Sequence, residues 1–174
     1  PLVLLADWAG GIWFELLVVA LGCAVAWEWT GIVCKRQPLQ LFLHLAAAIA
    51  AFGSIVLQQP LAGLAIVVAL QAVSAALAPR PLTLWKLTGV LYAGLPCLAL
   101  LLLRNDPQHG LVAVIWCFAI VWAADILAYF AGRLIGGPKL APSISPKKTW
   151  AGLGGAIAGA ALASWAVAHF AGYQ

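Results

Sequence analysis

The sequence predicts an all-α integral membrane protein with about six transmembrane helices. Of the 174 residues, 65% are hydrophobic and only 8% are charged, and the mean hydropathy is +1.04. A soluble domain carries about 25% charged residues. The apolar residues are gathered into runs close to the roughly 20 residues that cross a hydrocarbon layer of about 30 Å. Because these runs are too long and uniform for barrel strands, helices are the expected spanning elements.

Six apolar runs follow one another and predict one polytopic membrane domain over residues 1–174. Gln58, Gln59 and Pro60 separate the second run from the third, so these two short spans are expected either to be tilted or to form a tight hairpin at this point. The fourth run contains Gly94 and Pro96, where a kink is expected. The predicted spans lie at about 12–33, 40–57, 61–78, 87–103, 111–132 and 151–170.

The basic residues predict the orientation of these spans. Eight of the nine lie after the first, third and fifth spans, and the ninth, Arg104, follows the fourth span. By the positive-inside rule the N-terminus is outside and the long loop at about 133–150 is cytoplasmic. Charge spread over short loops indicates membrane topology and contact with membrane lipids, and no nucleic-acid partner. The eight residues are Lys35, Arg36, Arg80, Lys86, Arg133, Lys139, Lys147 and Lys148.

Most of the other polar and aromatic residues are expected to serve the structure. Asp7 and Asp106 fall in outer segments that water should reach, and Glu28 is either an interfacial anchor or the partner of a cytoplasmic base. The four cysteines show no metal-type or redox-type spacing, and the three histidines are isolated from one another. Several tryptophans near the predicted span ends are typical of an interfacial aromatic belt: Trp8, Trp13, Trp27, Trp29, Trp85 and Trp150.

Asp125 stands well inside the fifth span and is the strongest candidate for a functional acid. A charge there costs at least about 2.5–3.5 kcal/mol on insertion scales, so such residues are usually functional. Tyr129 and Arg133 follow at helical spacing, which places all three on one face leading towards the cytoplasmic loop. The structural alternative is that Asp125 only pairs with Arg133 or with a neighbouring helix.

The segment before the sixth span predicts a helix N-terminus that binds an anion. Ser145 is a suitable N-cap and Pro146 suits the first helical position, so Lys147 and Lys148 would lie in the first turn. Cations are normally disfavoured at this positive end of a helix unless a polyanion binds there. Lys139 and Arg133 add charge to the same loop, while the alternative is ordinary positive-inside charge in contact with lipid phosphates.

A membrane acid beside a basic helix N-terminus favours phosphoryl or nucleotidyl transfer. The acid can hold a divalent metal, Mg²⁺, and the basic groups can stabilise the charge that develops on phosphates.

The sixth span is rich in small residues and includes Gly155 and Gly159 in a GxxxG arrangement, with Ala151 one turn earlier. Such a row allows two helix backbones to approach closely. It predicts tight packing within the fold, with the seam of a homodimer as the alternative.

The stretch "DILAYFAGRLIGGPKLAPSISPKKTWAG" resembles the phosphatidate cytidylyltransferases, which are the bacterial CDP-diacylglycerol synthases. The family pattern is an Asp, then Ala-Tyr-Phe-x-Gly-Arg, a Gly-rich link, Lys-Leu-x-Pro and Ser-Pro-x-Lys-Thr-Trp. "AWEWTG" around Glu28 also resembles the first core helix of the family. Ala151 stands where many members have Glu. The matching positions are Asp125, Ala128, Tyr129, Phe130, Gly132, Arg133, Lys139, Leu140, Pro142, Ser145, Pro146, Lys148, Thr149 and Trp150.

The resemblance implies a Mg²⁺-dependent reaction of CTP with phosphatidic acid that yields CDP-diacylglycerol and pyrophosphate at a bacterial inner membrane. Asp125 would be a catalytic metal ligand and Lys148 a catalytic residue. Ser145 and Thr149 would bind triphosphate or lipid phosphate with Lys147, while Arg133 and Lys139 assist and Tyr129 shapes the site.

The family's C-terminal signature, which supplies further metal and nucleotide ligands, does not occur in this sequence. The chain is therefore expected to be the N-terminal and middle part of a longer enzyme and to be inactive alone.

Two other functions fit the same residues. One is a CTP-dependent kinase of a polyprenol-type lipid, which is also an enzyme. The other is a transporter of an anionic substrate in which Asp125 binds a proton or cation, since discontinuous helices near Gly and Pro mark many transporters. Nucleotide binding separates the transporter from both enzymes.

Overall fold

The computed structural model describes residues 2–35, 37–78 and 84–172, so Arg36 and Arg80 lie outside the described residues. It divides into two compact units, residues 1–110 and 111–174, which are considered separately below. The helices and strands are α1 (Leu2–Ala9), α2 (Gly11–Val33), α3 (Pro38–Val56), α4 (Pro60–Ala76), α5 (Leu84–Arg104), α6 (Gly110–Leu134), β1 (Lys139–Ala141), β2 (Ser145–Thr149) and α7 (Trp150–Phe170).

The helical membrane fold predicted from composition is confirmed. Each predicted span coincides with one of the helices α2 to α7, and five of these helices are long and apolar enough to cross a membrane. The remaining helix of that series, α4, corresponds to the third predicted span and is shorter, with 17 residues. The protein is therefore a multi-pass membrane protein, whereas six crossings and an outside N-terminus stay predictions. Two elements were not predicted, the short helix α1 and the small β1–β2 sheet.

Helix α4 runs antiparallel to α3 over its whole length. At one end, a Cβ placed on Gly63 would lie 2.1 Å from Ser54 Oγ, so only glycine fits between the two helices there. At the other end, Ser74 Oγ donates to Gln40 Oε1 at 2.6 Å, and Gln40 Nε2 donates to the Ser74 carbonyl at 3.1 Å. The turn between the two helices, with Gln58 at φ 55°, is the predicted hairpin.

Apolar side chains from three helices form the core of the first unit. Leu43 and Ala47 of α3, Val67 of α4 and Val90 of α5 are buried together. Pro96 lies inside α5 without ending the helix, which continues to Arg104. The kink expected from Pro96 therefore does not produce the broken helix that the transporter alternative would use.

Asp7 is completely buried, which corrects the expectation that water reaches it. Its carboxylate Oδ1 lies 2.7 Å from Arg104 Nε, and Arg104 also donates to the Asp7 carbonyl oxygen from Nε and Nη2, at 3.1 and 2.6 Å. The guanidinium lies over the ring of Phe14, 5.9 Å from its centroid. Arg104 thus fastens α1 to the end of α5, and this pairing offsets the cost of burying the acid.

Asp106 lies in the exposed turn between α5 and α6, as expected from the sequence. Its Oδ1 accepts hydrogen bonds from the backbone N–H groups of His109 at 2.7 Å and Gln108 at 3.0 Å. These bonds favour the ionised form and hold the pKa of Asp106 below its usual range. The turn is therefore closed by a carboxylate that remains charged at neutral pH.

The second unit is a helical hairpin with a small sheet at its turn. Glycines of α7 lie directly against the backbone of α6: a Cβ on Gly155 would be 2.5 Å from the Leu127 carbonyl oxygen, and one on Gly159 would be 2.4 Å from that of Ala123. The predicted tight packing of the small-residue row is confirmed. Because the row is occupied within the chain, it does not supply a free seam for the homodimer, which stays a prediction without structural support here.

Candidate active site

Asp125, Tyr129 and Arg133 lie on one exposed face of α6, as predicted. Arg133 Nη1 donates to the Tyr129 hydroxyl at 2.9 Å, and the guanidinium lies 5.9 Å from the centroid of the Tyr129 ring. All three side chains are exposed in the structure. The aromatic ring and its bond to Arg133 hold the guanidinium in a defined position at the end of the helix.

The structural alternative for Asp125, pairing with Arg133, is not observed. Asp125 forms no ion pair or hydrogen bond with any residue in the described ranges. Eight residues of helix separate Asp125 from Arg133 by about 12 Å along the axis, which is too far for a direct contact. The carboxylate is therefore available for a ligand or for a part of the protein beyond these residues.

Ser145 is not the N-cap of the last helix, and this part of the prediction is wrong. Residues Ser145–Thr149 form strand β2, which pairs antiparallel with β1. Helix α7 begins at Trp150, and its N-cap is Thr149, whose Oγ1 accepts a hydrogen bond from Gly152 N at 3.1 Å. The local preference of Ser-Pro for a helix start is overridden because strand pairing satisfies the backbone polar groups of this segment.

The β1–β2 hairpin carries the basic residues of the predicted site. Lys139 is opposite Thr149 and Ala141 is opposite Ser145 in the antiparallel register. The hairpin is closed next to α7, where Trp150 N donates to the Pro138 carbonyl at 3.2 Å. Lys139, Lys147 and Lys148 are all exposed on this hairpin. Lys147 and Lys148 thus precede α7 and do not lie in its first turn, which corrects the prediction.

Glycines let the hairpin, the end of α6 and the start of α7 meet. Gly136 and Gly137, at φ 68° and 91°, turn the chain from α6 into β1, a conformation that other residues rarely adopt. A Cβ on Gly132 would lie 3.2 Å from Thr149 Oγ1, and one on Gly152 would lie 3.1 Å from the Ala128 carbonyl oxygen. Thr149, which is 5% exposed, is thus buried between the two helices. Its hydroxyl holds the start of α7 through the bond from Gly152 N.

Gly152 was not predicted from the sequence, although its position three residues after Thr149 is the signal that could have identified it. A threonine followed at this spacing by a glycine is compatible with an N-cap bond at a point of close helix approach.

The structure places Asp125, Arg133 and the three hairpin lysines on adjacent segments of one unit. No hydrogen bond or ion pair joins Asp125 to those basic residues within the described part of the chain.

The residues of this unit are compatible with Mg²⁺ but do not form a complete site. Within residues 2–35, 37–78 and 84–172, no three His, Cys, Asp or Glu side chains are grouped so that they could hold a metal ion. Mg²⁺ is commonly bound by one or two carboxylates together with water and substrate phosphates. The exposed Asp125 carboxylate, which has no ion-pair partner in the described part of the chain, fits the first of these roles.

Comparison with known proteins identifies relatives along the whole chain. The family described as "Cytidylyltransferase family" matches residues 1–174. A phosphatidate cytidylyltransferase of Brucella abortus is 39% identical over 158 residues, which cover 90% of this chain and 57% of the relative. The Pseudomonas aeruginosa protein of the same name is 31% identical over 85% of this chain and 58% of its own length.

A shorter match concerns the phosphatidate cytidylyltransferase of Haemophilus influenzae, which is 46% identical over 66 residues, or 38% of this chain. The chain thus spans a little over half the length of the relatives that it matches along most of its own sequence, 57% for the Brucella protein. No solved structure matches the chain.

Proposed function

The chain belongs to the cytidylyltransferase family, and from this we propose that it forms part of an enzyme that transfers a cytidylyl group from CTP to phosphatidic acid. The products are CDP-diacylglycerol, an intermediate of phospholipid biosynthesis, and pyrophosphate. The observation that carries the proposal is the exposed basic hairpin of the second unit. It belongs to the same unit as the exposed acid of α6, in the region that resembles the phosphatidate cytidylyltransferases.

The hairpin lysines and Arg133 supply the positive charge that this reaction requires. In the transfer, an oxygen of the lipid phosphate forms a bond to the α-phosphorus of CTP, and the bond from that phosphorus to the β-phosphate bridging oxygen breaks. Negative charge then accumulates on the departing pyrophosphate. Lys148, Lys147 and Lys139 bind phosphate oxygens of the substrates, and Lys148 stabilises the developing charge.

Arg133 is held by the hydroxyl of Tyr129, so its planar guanidinium can present two donors to a phosphate group. Ser145, next to the basic positions on β2, contributes a hydroxyl donor. The Thr149 hydroxyl caps α7, so its contribution to phosphate binding is to keep the strand and the helix start in place. Tyr129 acts through Arg133 as a positioning residue.

Asp125 would hold Mg²⁺ together with ligands from the rest of the protein and from the substrates. When bound, Mg²⁺ neutralises charge on the triphosphate and favours the departure of pyrophosphate. The enzyme acts at the bacterial inner membrane with the basic hairpin on the cytoplasmic side, because eight of the nine basic residues occupy alternate connections. CTP is then available from the same side as the hairpin.

Binding of radiolabelled CTP to the full-length protein tests this function. We expect saturable binding that Lys148→Gln weakens about tenfold or more, as expected for loss of a charged hydrogen bond. Lys86→Gln, which removes a lysine from the first unit, serves as the charge-matched control and should bind CTP normally.

Product analysis separates the enzymatic alternatives. A cytidylyltransferase releases pyrophosphate from CTP and phosphatidic acid, whereas a CTP-dependent lipid kinase releases CDP. Release of CDP with a phosphorylated lipid would contradict the proposal, and absence of any CTP binding by the folded full-length protein would favour a transporter.

A further inference from the structure

A buried polar network joins α3, α4 and α5 inside the first unit. Gln40 of α3 and Ser74 of α4 are bonded to each other through two hydrogen bonds. Gln71 of α4 donates from Nε2 to the Leu87 carbonyl, and its Oε1 accepts from Leu91 N at 3.1 Å. Burial of a polar group costs free energy unless the group is hydrogen-bonded, so interior networks of this kind are normally complete.

Two nitrogen atoms beside this network have no partner among the described residues. His44 of α3 is 0% exposed, and its Nε2 forms no hydrogen bond. The buried Nε1 of Trp29 on α2 forms none either. The only other buried side-chain atoms of this kind in the described ranges are the Asp7 carboxylate oxygens, and that group is ion-paired with Arg104. The two nitrogens are therefore the buried polar atoms that the fold itself leaves unsatisfied.

Both nitrogens lie against Gly89 of α5. A Cβ placed on this glycine would be 2.1 Å from His44 Nε2 and 2.7 Å from Trp29 Nε1, so the two nitrogens are no more than about 4.8 Å apart. One oxygen atom at ordinary hydrogen-bond distances of about 2.8–3.0 Å reaches two atoms across such a gap. Because Gly89 has no side chain, both rings can converge at this point.

The bond at Nδ1 determines what His44 Nε2 can bind. Nδ1 is bonded to the Gln40 carbonyl oxygen, which can only accept, so Nδ1 carries the proton and Nε2 of the neutral ring is an acceptor. The indole N–H of Trp29 is only a donor. A group held by both must therefore donate to Nε2 and accept from Nε1. A hydroxyl group does both, whereas a carboxylate has no proton to donate and a cation would face the indole N–H.

We propose that Trp29 and His44 form a binding site for one internal water molecule, which bridges α2 and α3 beside Gly89. The water accepts a hydrogen bond from Trp29 Nε1 and donates one to His44 Nε2, so both buried atoms are satisfied. Internal waters usually occupy such positions, where protein atoms leave polar groups unpaired. Through His44 and Gln40 the water extends the network to α2, so that four helices are connected. The site is independent of the basic hairpin and of the reaction proposed there.

Nuclear magnetic resonance of the detergent-purified full-length protein, labelled with ¹⁵N in tryptophan and histidine, tests the site directly. We expect the Trp29 indole N–H to exchange magnetisation with water although a soluble paramagnetic agent does not broaden its signal. We also expect His44 to be the tautomer with its proton on Nδ1. The Trp29 signal is the one missing from Trp29→Phe. If that variant does not fold, the signal is identified by elimination with phenylalanine variants of the other tryptophans.

Thermal unfolding tests whether the two side chains share one ligand. Trp29→Phe removes the N–H group but keeps an aromatic ring to stack on Tyr92, whose centroid lies 4.4 Å from that of Trp29. It should lower the unfolding midpoint by about 2–4 °C, and His44→Leu should lower it at least as much. The double variant should lose less than the two single losses together, because either change alone already removes a partner of the water. Trp13→Phe alters an exposed tryptophan of the same helix and should leave the midpoint unchanged.

Any of four results would overturn the proposal. Scalar coupling across a bond from Trp29 Nε1 to His44 Nε2 would show that the two rings pair directly, without water. A proton on Nε2 would contradict the assignment of His44 as the acceptor. Absence of magnetisation transfer between water and the Trp29 indole would show that no water is held there. Additive losses in the double variant would show that the two side chains do not share a ligand.

Discussion

At the scale of single residues, the same type of side chain has opposite surroundings in the two units. Asp7 is 0% exposed and is bound by Arg104, whereas Asp125 is exposed and has no ion-pair partner within the described residues. A buried acid needs a partner because its desolvation is costly. An acid in a membrane-length helix that has no ion-pair partner does not stabilise the fold through pairing. Its presence there therefore favours a role in ligand binding.

Asp125→Asn should therefore abolish product formation by the full-length enzyme without loss of stability. The substitution keeps the shape of the side chain but removes the charge that would hold Mg²⁺, so raising Mg²⁺ should restore little activity. Specific activity and thermal stability measured on the same detergent-purified sample provide the test.

The free energy of unfolding should change by no more than about 0.5 kcal/mol, as is usual for an exposed position. An unstable but fully active Asp125→Asn protein would refute the metal role, because it would show that the acid serves only the fold.

The Asp7–Arg104 pair should behave in the opposite way. Asp7→Asn leaves a guanidinium that is only 18% exposed without its counter-charge, and loss of one partner of a buried pair costs about 3–5 kcal/mol. Unfolding of the purified protein by heat measures the loss. Asp106→Asn removes an exposed acid and is the matched control.

The double variant Asp7→Leu, Arg104→Met should recover much of the stability lost in Asp7→Asn, because replacing both charges removes the unpaired one. A double variant less stable than Asp7→Asn would mean that the Arg104 bonds to the Asp7 carbonyl, rather than the ion pair, hold α1 in place.

At the scale of elements, the segment before α7 shows how pairing changes a local preference. Ser145 and Pro146 suit a helix start when they are considered alone. In the structure residues 145–149 form a strand that pairs with the antiparallel strand β1, and the helix begins after this strand, at Trp150. The consequence for function is that the lysines stand on a hairpin, outside the first turn of α7.

The packing of α7 on α6 makes a prediction about neighbouring glycines. Gly155→Ala should destabilise the protein by about 1–3 kcal/mol, because its Cβ would meet the Leu127 carbonyl oxygen at 2.5 Å and push the helices apart. Gly154→Ala has no atom within 4 Å of the new Cβ and should be neutral or stabilising by up to about 1 kcal/mol.

Thermal unfolding of the two purified variants measures the difference. Because both are glycine-to-alanine changes in one helix, helix propensity contributes equally to each. Equal midpoints for the two variants would mean that the close approach of α7 to α6 is not required for stability.

At the scale of the whole molecule, connections rich in basic residues alternate with connections that have one or none, and this alternation predicts the orientation in the membrane. The antiparallel course of α4 beside α3 is compatible with one further crossing, although α4 has only 17 residues. If α2 to α7 each cross once, the connections that carry the eight basic residues all lie on one side. The hairpin at 139–149 is then cytoplasmic and the turn at Gln59 is outside.

Cysteine accessibility tests this orientation. Single cysteines at Lys147 and at Gln59, both exposed positions, are introduced into a protein that lacks the four native cysteines. An impermeant thiol reagent applied to intact cells should label the position of Gln59 and leave that of Lys147 unlabelled until the membrane is opened. Labelling of Lys147 from outside would contradict the orientation.

The membrane fold and the approximate bounds of six helices could be predicted from residue order alone. Hydropathy is a property of each local segment, and a helix in lipid satisfies the hydrogen bonds of its own backbone. Residue order also placed Asp125, Tyr129 and Arg133 on one face, since helical spacing alone decides that.

Which groups meet across the fold followed only from the packing of distant segments. Burial of Asp7 depends on Arg104, which is distant in the chain, and the cap at Thr149 depends on the pairing of β1 with β2. The close approach of α2 to α5, where a Cβ on Gly22 would lie 2.2 Å from Cys97 Sγ, needs two separate helices. Such contacts arise from long-range packing that local residue preferences do not encode, so composition and spacing could not predict them.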